Sequence, residues 1–104
     1  MTQFKELDPI LHSQLRLAIV SLLVDVETAE FNWLIEKTGA TNGNLSIQLS
    51  KLKDKGYIEV KKSFRNNYPL TSCLITPKGL EAFKNYVSAL GSYFKGGIES
   101  DKKQ

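Results

Sequence analysis

Basic side chains are concentrated between residues 51 and 65, where six bases stand against two acids for a local net charge of +4. The whole 104-residue chain carries only +3, and residues 1–40 carry three bases against six acids. Ammonium and guanidinium groups gathered in this way are suited to the phosphates of a nucleic acid. The preceding residues 41–50 are rich in Asn, Ser and Gln, whose side chains can hydrogen-bond to base edges.

A helix is predicted for the segment that carries these polar side chains. Leu45, Leu49 and Leu52 recur at helical spacing and predict one buried face, Thr41 is a suitable N-cap, and Gly56 is a suitable end. The remaining residues of the helix then face outward or flank the leucines. The candidate DNA contacts on this helix are Thr41, Asn42, Asn44, Ser46, Ile47, Gln48, Ser50 and Lys51.

A hairpin is predicted after this helix, because the apolar period changes from about 3.6 to two. Residues 57–64 form its first strand, residues 65–69 its turn and residues 70–75 its return strand. The hairpin tip is basic and exposed, and we expect it to contact the DNA backbone or minor groove. The candidate contacts on this hairpin are Lys61, Lys62, Arg65, Asn66, Asn67 and Tyr68.

Two further helices precede this unit. The pair Asp8-Pro9 is a strong start signal and predicts a helix to about Val24. A short helix then runs from about Phe31 to Thr38 and ends at Gly39. Only two residues separate it from the helix capped by Thr41, so the two helices must cross steeply, as in a helix-turn-helix unit.

The last helix is predicted to begin at Thr76-Pro77, run to about Phe94 and end at Gly96-Gly97. It carries two apolar stripes, and so does the first helix, which predicts that each packs on the core and on a second subunit. The candidate dimer contacts are Ile10, Leu17, Val20, Phe83, Tyr86, Val87, Leu90, Tyr93 and Phe94. We expect a homodimer that sets two recognition helices about 34 Å apart.

The bulk composition indicates one globular domain over residues 1–95 and a mobile tail over residues 96–104. Hydrophobic residues make up 41% and charged residues 24% of the chain, as in ordinary folded proteins. The longest apolar-rich stretch is too short for a membrane span of about 20 residues. The N-terminus lacks the features of a signal peptide. We therefore expect a cytoplasmic protein.

Signatures of enzymes are missing from the sequence: it has no Gly-rich phosphate loop, zinc spacing or nucleophile elbow. We expect no catalytic residue, metal or cofactor, and no small-molecule effector is indicated. The single histidine, His12, is interpreted as an interface residue, with pH or metal sensing as the alternative. The single cysteine, Cys73, is interpreted as inert packing, with redox sensing as the alternative.

The order of these elements resembles that of the winged helix-turn-helix transcriptional regulators, especially the small multiple-antibiotic-resistance (MarR-type) and arsenical-resistance (ArsR-type) families. The resemblance covers about residues 7–94. The stretches that carry it are Leu11-His-Ser13, Arg16-Leu-Ala-Ile19, Phe31-Asn32, Leu34, Thr41 to Leu52, Gly56-Tyr-Ile58 and Leu74 to Gly79. It implies a fold of the α+β class, mainly α: a three-helix core, a two-stranded wing and a long C-terminal dimerisation helix.

The resemblance also implies a homodimer that binds double-stranded DNA and regulates transcription, most simply as a repressor. We expect a pseudo-palindromic operator, rich in A·T because Asn and Gln suit adenine edges. One alternative is a protein–protein interaction module of a larger complex, using Ile47, Trp33, Tyr57 and the two-striped terminal helices. Another is binding of single-stranded nucleic acid or RNA through Trp33, Tyr57 and Tyr68, which requires these aromatics on one basic face.

Overall fold

The computed structural model describes the backbone of residues 4–102 and the side chains of residues 4–94. The elements follow in the order α1 Gln14–Val26, β1 Thr28–Glu30, α2 Phe31–Thr38, α3 Asn42–Asp54, β2 Ile58–Arg65, β3 Tyr68–Ile75 and α4 Pro77–Lys102. The predicted α+β, mainly helical architecture is confirmed. No helix within the described residues is both long enough and apolar enough to cross a membrane.

Helices α2 and α3 lie where the sequence predicted them. Helix α2 ends at Gly39, which adopts the left-handed conformation with a φ of 74°. Two residues later, the Thr41 side chain caps α3 by accepting a hydrogen bond from the Asn44 backbone N–H at 3.1 Å. The connection therefore has the short length of a helix-turn-helix unit.

The predicted start of α1 at Asp8-Pro9 is wrong. Helix α1 begins at Gln14, with Ser13 as its N-cap, and it ends at Val26 rather than Val24. Asp8 does accept a hydrogen bond from the Ile10 N–H at 2.8 Å, but it closes a turn there. Its second carboxylate oxygen accepts a hydrogen bond from the hydroxyl of Tyr57, a residue far from Asp8 in the sequence. This tertiary contact ties the segment before α1 to the residue that precedes β2.

The predicted two-stranded wing is formed by β2 and β3, and the unpredicted β1 adds a third antiparallel strand to the sheet, in the order β1-β3-β2. Strand β1 has only three residues, and its Ala29 pairs with Cys73 of β3. The wing turn is also tighter than predicted. It consists of Asn66 and Asn67, with φ values of 52° and 68°, which matches the two-residue turn that suits a twisted hairpin.

The predicted end of the last helix at Gly96-Gly97 is also wrong, because α4 continues to Lys102. Glycine weakens a helix interior by about 1 kcal/mol but does not forbid it. Of the predicted tail, residues 103 and 104 lie outside the described residues. The division into a domain of residues 1–95 and a mobile tail stays a prediction.

The predicted dimer residues on the terminal helices fall into two groups, one buried inside the protomer and one at its surface. Val20 is fully buried and Tyr86 is 4% exposed within the single chain, so both belong to the protomer's own core and not to a surface. The other predicted dimer residues remain accessible. Ile10, Leu17, Phe83 and Leu90 are half-buried, and Val87, Tyr93 and Phe94 are exposed.

The first turn of α4 is anchored to the chain just before β2. Thr76 donates its hydroxyl hydrogen to the Gly56 carbonyl at 2.7 Å and its N–H to the Tyr57 carbonyl at 3.1 Å. The Gly79 N–H donates to the Thr76 hydroxyl oxygen at 2.9 Å. A Cβ atom at Gly79 would lie 2.1 Å from the Tyr57 carbonyl oxygen, so only glycine fits this contact. The junction fixes the wing relative to α4.

Replacing Gly79 by alanine should therefore destabilise the protein. We expect Gly79→Ala to lower the free energy of unfolding by roughly 2 kcal/mol or more, because two backbone segments must separate. Gly91→Ala is the matched control, since a Cβ there meets no atom within 4 Å. The control should raise stability by about 0.5–1 kcal/mol. Urea unfolding of both variants tests this, and equal stability changes would contradict it.

Cys73 lies in the core on β3, with its side chain fully buried. Burial raises the pKa of its thiol to about 11, which keeps it protonated and unreactive at neutral pH. Both observations support inert packing over redox sensing.

A thiol reagent at pH 8 should accordingly modify folded Cys73 about 100-fold more slowly than the same thiol in the urea-unfolded chain. Because a raised pKa lowers the thiolate fraction at every pH below it, the folded rate should climb until about pH 11. Equal rates for folded and unfolded protein would restore the redox hypothesis.

Candidate nucleic-acid interface

Helix α3 is buried on one face and free on the other. Leu45 and Leu52 are fully buried and Leu49 is 4% exposed, as the leucine spacing predicted. Of the eight predicted contacts on this helix, all are exposed except Gln48, which is half-buried. Ile47 is the most prominent apolar member, with 56% of its surface exposed. The helix thus presents short polar groups and one aliphatic side chain to the outside.

The wing places all six of its predicted contacts on the surface. Because side chains alternate along a strand, Lys61 and Lys62 point to opposite faces of the sheet. Lys62 lies on the same side as α3. It lines a groove of about 400 Å³ together with Val60 and Thr71 of the sheet and Phe31, Ser46, Leu49, Ser50 and Lys53 from the helices. This groove makes the helix and the wing parts of one surface.

Two residues of this surface were missed by the sequence-based site prediction. Lys53 stands seven positions after Ser46 and three after Ser50, which puts it on the same side of α3. That spacing could have identified it. Phe64 alternates onto the same side of β2 as Ile58 and Val60, yet it is 76% exposed because the hairpin extends beyond the helices. Nothing in its alternation pattern distinguishes it from a buried strand residue.

The wing arginine is paired with an acid. Arg65 contacts the Glu30 carboxylate with N–O distances of 2.6 and 3.5 Å, and the two side chains are 61% and 40% exposed. The pair spans the sheet from β1 to the end of β2. An exposed pair of this kind contributes at most about 1 kcal/mol, so a phosphate can compete for Arg65.

A chain of side-chain hydrogen bonds connects α1 with the outer face of α3. Arg16 donates from its Nε to the Ile10 carbonyl at 2.6 Å and from a terminal nitrogen to the Gln48 side-chain oxygen. Gln48 in turn donates from its amide nitrogen to the side-chain oxygen of Asn44 at 3.0 Å. Both ends of the Gln48 amide are therefore occupied.

The aromatic residues named for the two alternative functions differ in their exposure. Tyr57 is only 5% exposed, and burial together with its hydrogen bond to Asp8 raises its pKa to about 12. Trp33 is half-buried, with the Lys37 ammonium 5.6 Å from its ring centre. Tyr68 is 74% exposed at the wing tip. Because Tyr57 is buried, binding of single-stranded nucleic acid or RNA lacks one of its predicted aromatic contacts. The protein–protein alternative also loses Tyr57 but keeps the exposed Ile47 and the half-buried Trp33.

His12 lies near the start of α1, and its Nδ1 is 3.0 Å from the Tyr86 hydroxyl of α4. The two rings are also close, with centroids 6.2 Å apart. Within the described residues, no group of three or more His, Cys, Asp and Glu side chains could hold a metal ion. His12 therefore joins the two terminal helices of the chain.

Comparisons with known proteins agree with this geometry. An uncharacterized protein of Methanocaldococcus jannaschii is 45% identical over 78 residues, which are 75% of this chain and 85% of that protein. A transcriptional regulator homologue from Pyrococcus horikoshii OT3 has a similar structure, with a TM-score of 0.85 and 28% identity over 92% of this chain and 97% of that one.

A MarR variant from E. coli, solved in complex with operator DNA, shares the fold at 13% identity. Its TM-score is 0.67, and the match covers 83% of this chain and 61% of the MarR chain. The family model described as "winged helix DNA-binding domain" matches residues 15–94. That family consists of DNA-binding domains and not of enzymes. With more than three quarters of its length matched, and with an exposed helix and basic wing forming one surface, the chain belongs to the winged helix DNA-binding domain family.

Proposed function

We propose that this protein binds double-stranded DNA sequence-specifically as a homodimer and regulates transcription, acting as a repressor by occupying its operator. The observation that carries the proposal is the continuous surface formed by the outer face of α3, the shared groove and the cationic wing. The structural relative from Pyrococcus horikoshii is named a transcriptional regulator homologue, and the MarR relative was solved with operator DNA. Both names support a gene-regulatory role.

Helix α3 would enter the major groove, which is wide enough to admit a helix. Its exposed Asn44, Ser46 and Ser50 offer hydrogen bonds to base edges, and Ile47 offers an apolar contact to a thymine methyl group. Thr41 and Asn42 are exposed at the N-terminal end of α3, and Lys51 is exposed toward its C-terminal end, and all three would contact phosphates. Gln48 has both amide ends occupied, so we assign it a supporting position rather than a base contact.

The wing would lie along the DNA backbone or minor groove beside α3. Lys62 and Lys53 face the shared groove, so a phosphate placed there would meet an ammonium group from each side. Lys61, Arg65, Asn66, Asn67 and Tyr68 extend the contact toward the wing tip. If each protomer neutralises about four phosphates, a dimer should show a slope of log K against log salt near −7.

The dimer would form through the outer stripe of α4. Val87 and Phe94 are 51% and 60% exposed, and Phe83 and Leu90 beside them are half-buried. These four side chains recur at heptad spacing, which is the pattern of helices that pack along their length. Half-buried Ile10 and Leu17 of the N-terminal part, together with Tyr93, would complete the interface. A two-fold axis there would match a pseudo-palindromic operator.

Arg65 provides a direct test of the DNA-binding surface. Glu30→Gln removes the carboxylate that holds Arg65, so affinity for the selected duplex should rise by up to about fivefold per protomer. The salt slope should steepen by up to about one per protomer, because in the wild type Glu30 still offsets part of the charge that Arg65 brings to a phosphate. Electrophoretic or anisotropy titrations over a range of salt concentrations measure both quantities.

Glu36→Gln is the matched control, since it removes the same charge from an exposed position of α2. It should leave the salt slope unchanged. Identical slopes for Glu30→Gln and Glu36→Gln would contradict the idea that Arg65 leaves Glu30 to contact a DNA phosphate. A wild-type slope shallower than about −2 would reject the basic surface as the DNA-docking site.

Val87 provides the corresponding test of the dimer. Val87→Glu should raise the dimer dissociation constant by roughly 100-fold, because a symmetric interface contains the buried charge twice. Ser88→Glu is the control, since Ser88 is exposed outside the heptad stripe. Sedimentation of all three proteins at micromolar concentrations measures the effect. A wild-type protein that sediments as a monomer would contradict the proposed homodimer.

A further inference from the structure

The hydrogen-bond chain from α1 to α3 has a defined direction. A guanidinium group has five N–H donors and no acceptor. Arg16 must therefore face the carbonyl oxygen of the Gln48 amide and not its nitrogen. The Gln48 NH₂ group then faces Asn44, so the atom of Asn44 that receives it must be the carbonyl oxygen. The single cation Arg16 thus determines how both amides are turned.

Arg16 itself is held in place at a second point. Its Nε donates to the Ile10 carbonyl at 2.6 Å, so the planar guanidinium is fixed between that carbonyl and Gln48. Both Arg16 and Gln48 are half-buried, whereas Asn44, the last member of this series of hydrogen bonds, is exposed. The Asn44 backbone is fixed as well, since its N–H donates to the capping hydroxyl of Thr41. An exposed amide is therefore presented by two supporting residues in one orientation.

Asn44 keeps free hydrogen-bonding capacity in this arrangement. Its carbonyl oxygen has two lone pairs, and Gln48 uses only one. Within the described part of the chain, the Asn44 NH₂ group makes no hydrogen bond. An acceptor and a donor thus remain side by side on an exposed edge. That pair matches the N6 donor and N7 acceptor of adenine in the major groove.

From this geometry we infer that Asn44 is a specificity-determining residue for adenine, and that Arg16 and Gln48 are positioning residues that fix its amide. The inference rests on the proposed DNA-binding function and adds to it a base and a mechanism of selection. An Asn44 amide that is already fixed in orientation needs no rotation to bind adenine. The reversed Asn44 amide would present a donor to the adenine N6, and the hydrogen bonds from Arg16 through Gln48 exclude it.

The test is a selection from a random duplex pool, comparing base preferences position by position. The wild-type protein should prefer adenine about tenfold or more at one position of each half-site. Asn44→Ala should abolish that preference and leave the other positions unchanged. Gln48→Met keeps the length of the side chain but removes both hydrogen bonds, so the freed amide should retain less than about threefold preference at the same position.

Gln48→Glu gives a sharper result. The introduced carboxylate still accepts from Arg16, but it cannot donate to Asn44. Asn44 must then turn its NH₂ group toward that carboxylate, which reverses the outer edge. Adenine should become disfavoured at this position alone, whereas the added charge should weaken binding to all sequences equally. Gln14→Met, an exposed glutamine outside the hydrogen-bond chain, should keep the wild-type preferences.

Two outcomes would overturn the inference while leaving the proposed function intact: a preference pattern unchanged by Asn44→Ala, or Gln48→Met selecting adenine as strongly as the wild type. Folding of each variant is checked by thermal unfolding, and a position-specific change cannot arise from partial unfolding, which weakens all sequences. A wild-type protein that enriches no sequence would instead overturn the proposed function, and this inference with it.

Discussion

One-sided burial of α3 is the constraint on which the rest of the molecule depends. Three leucines at helical spacing are removed from water, each worth about 1.5–3 kcal/mol, and this fixes the rotation of the helix about its own axis. The polar face opposite them is left outside as a consequence. The Thr41 cap and the left-handed Gly39 fix where the helix begins and how it leaves α2. A helix free to rotate could not present a constant set of side chains to a duplex.

A second level of organisation joins segments that are distant in the sequence. Gly79 allows the first turn of α4 to touch the backbone at Tyr57, and Tyr57 in turn holds Asp8 before α1. These contacts place the wing, the terminal helix and the N-terminal segment in one rigid relation. The same principle operates at the surface, where Glu30 of β1 holds Arg65 of the wing. Charge and shape at the surface formed by α3 and the wing thus depend on residues outside that surface.

Much of the fold could be predicted because its signals are local. The leucine spacing of α3, the change of period at the hairpin and the glycine after α2 each act over a few residues, and all were confirmed. The errors have different causes. Strand β1 exists only because β3 offers it a partner, and the start signal at Asp8 is used by a turn instead of a helix, while Ser13 caps α1. A helix-weakening pair such as Gly96-Gly97 lowers propensity without deciding the outcome.

By itself, the sequence determined which side chains of α3 face outward, where positive charge accumulates, and the order of helices and strands, because periodicity, caps and net charge are properties of neighbouring residues. Only the tertiary structure decided which partners those side chains have and which of them are buried. It showed that the Gln48 amide bonds to Arg16 and Asn44, that Arg65 is paired with an acid, and that Val20 and Tyr86 belong to the core. Hydrogen bonds and burial join residues that only folding brings together, so no local pattern could have revealed them.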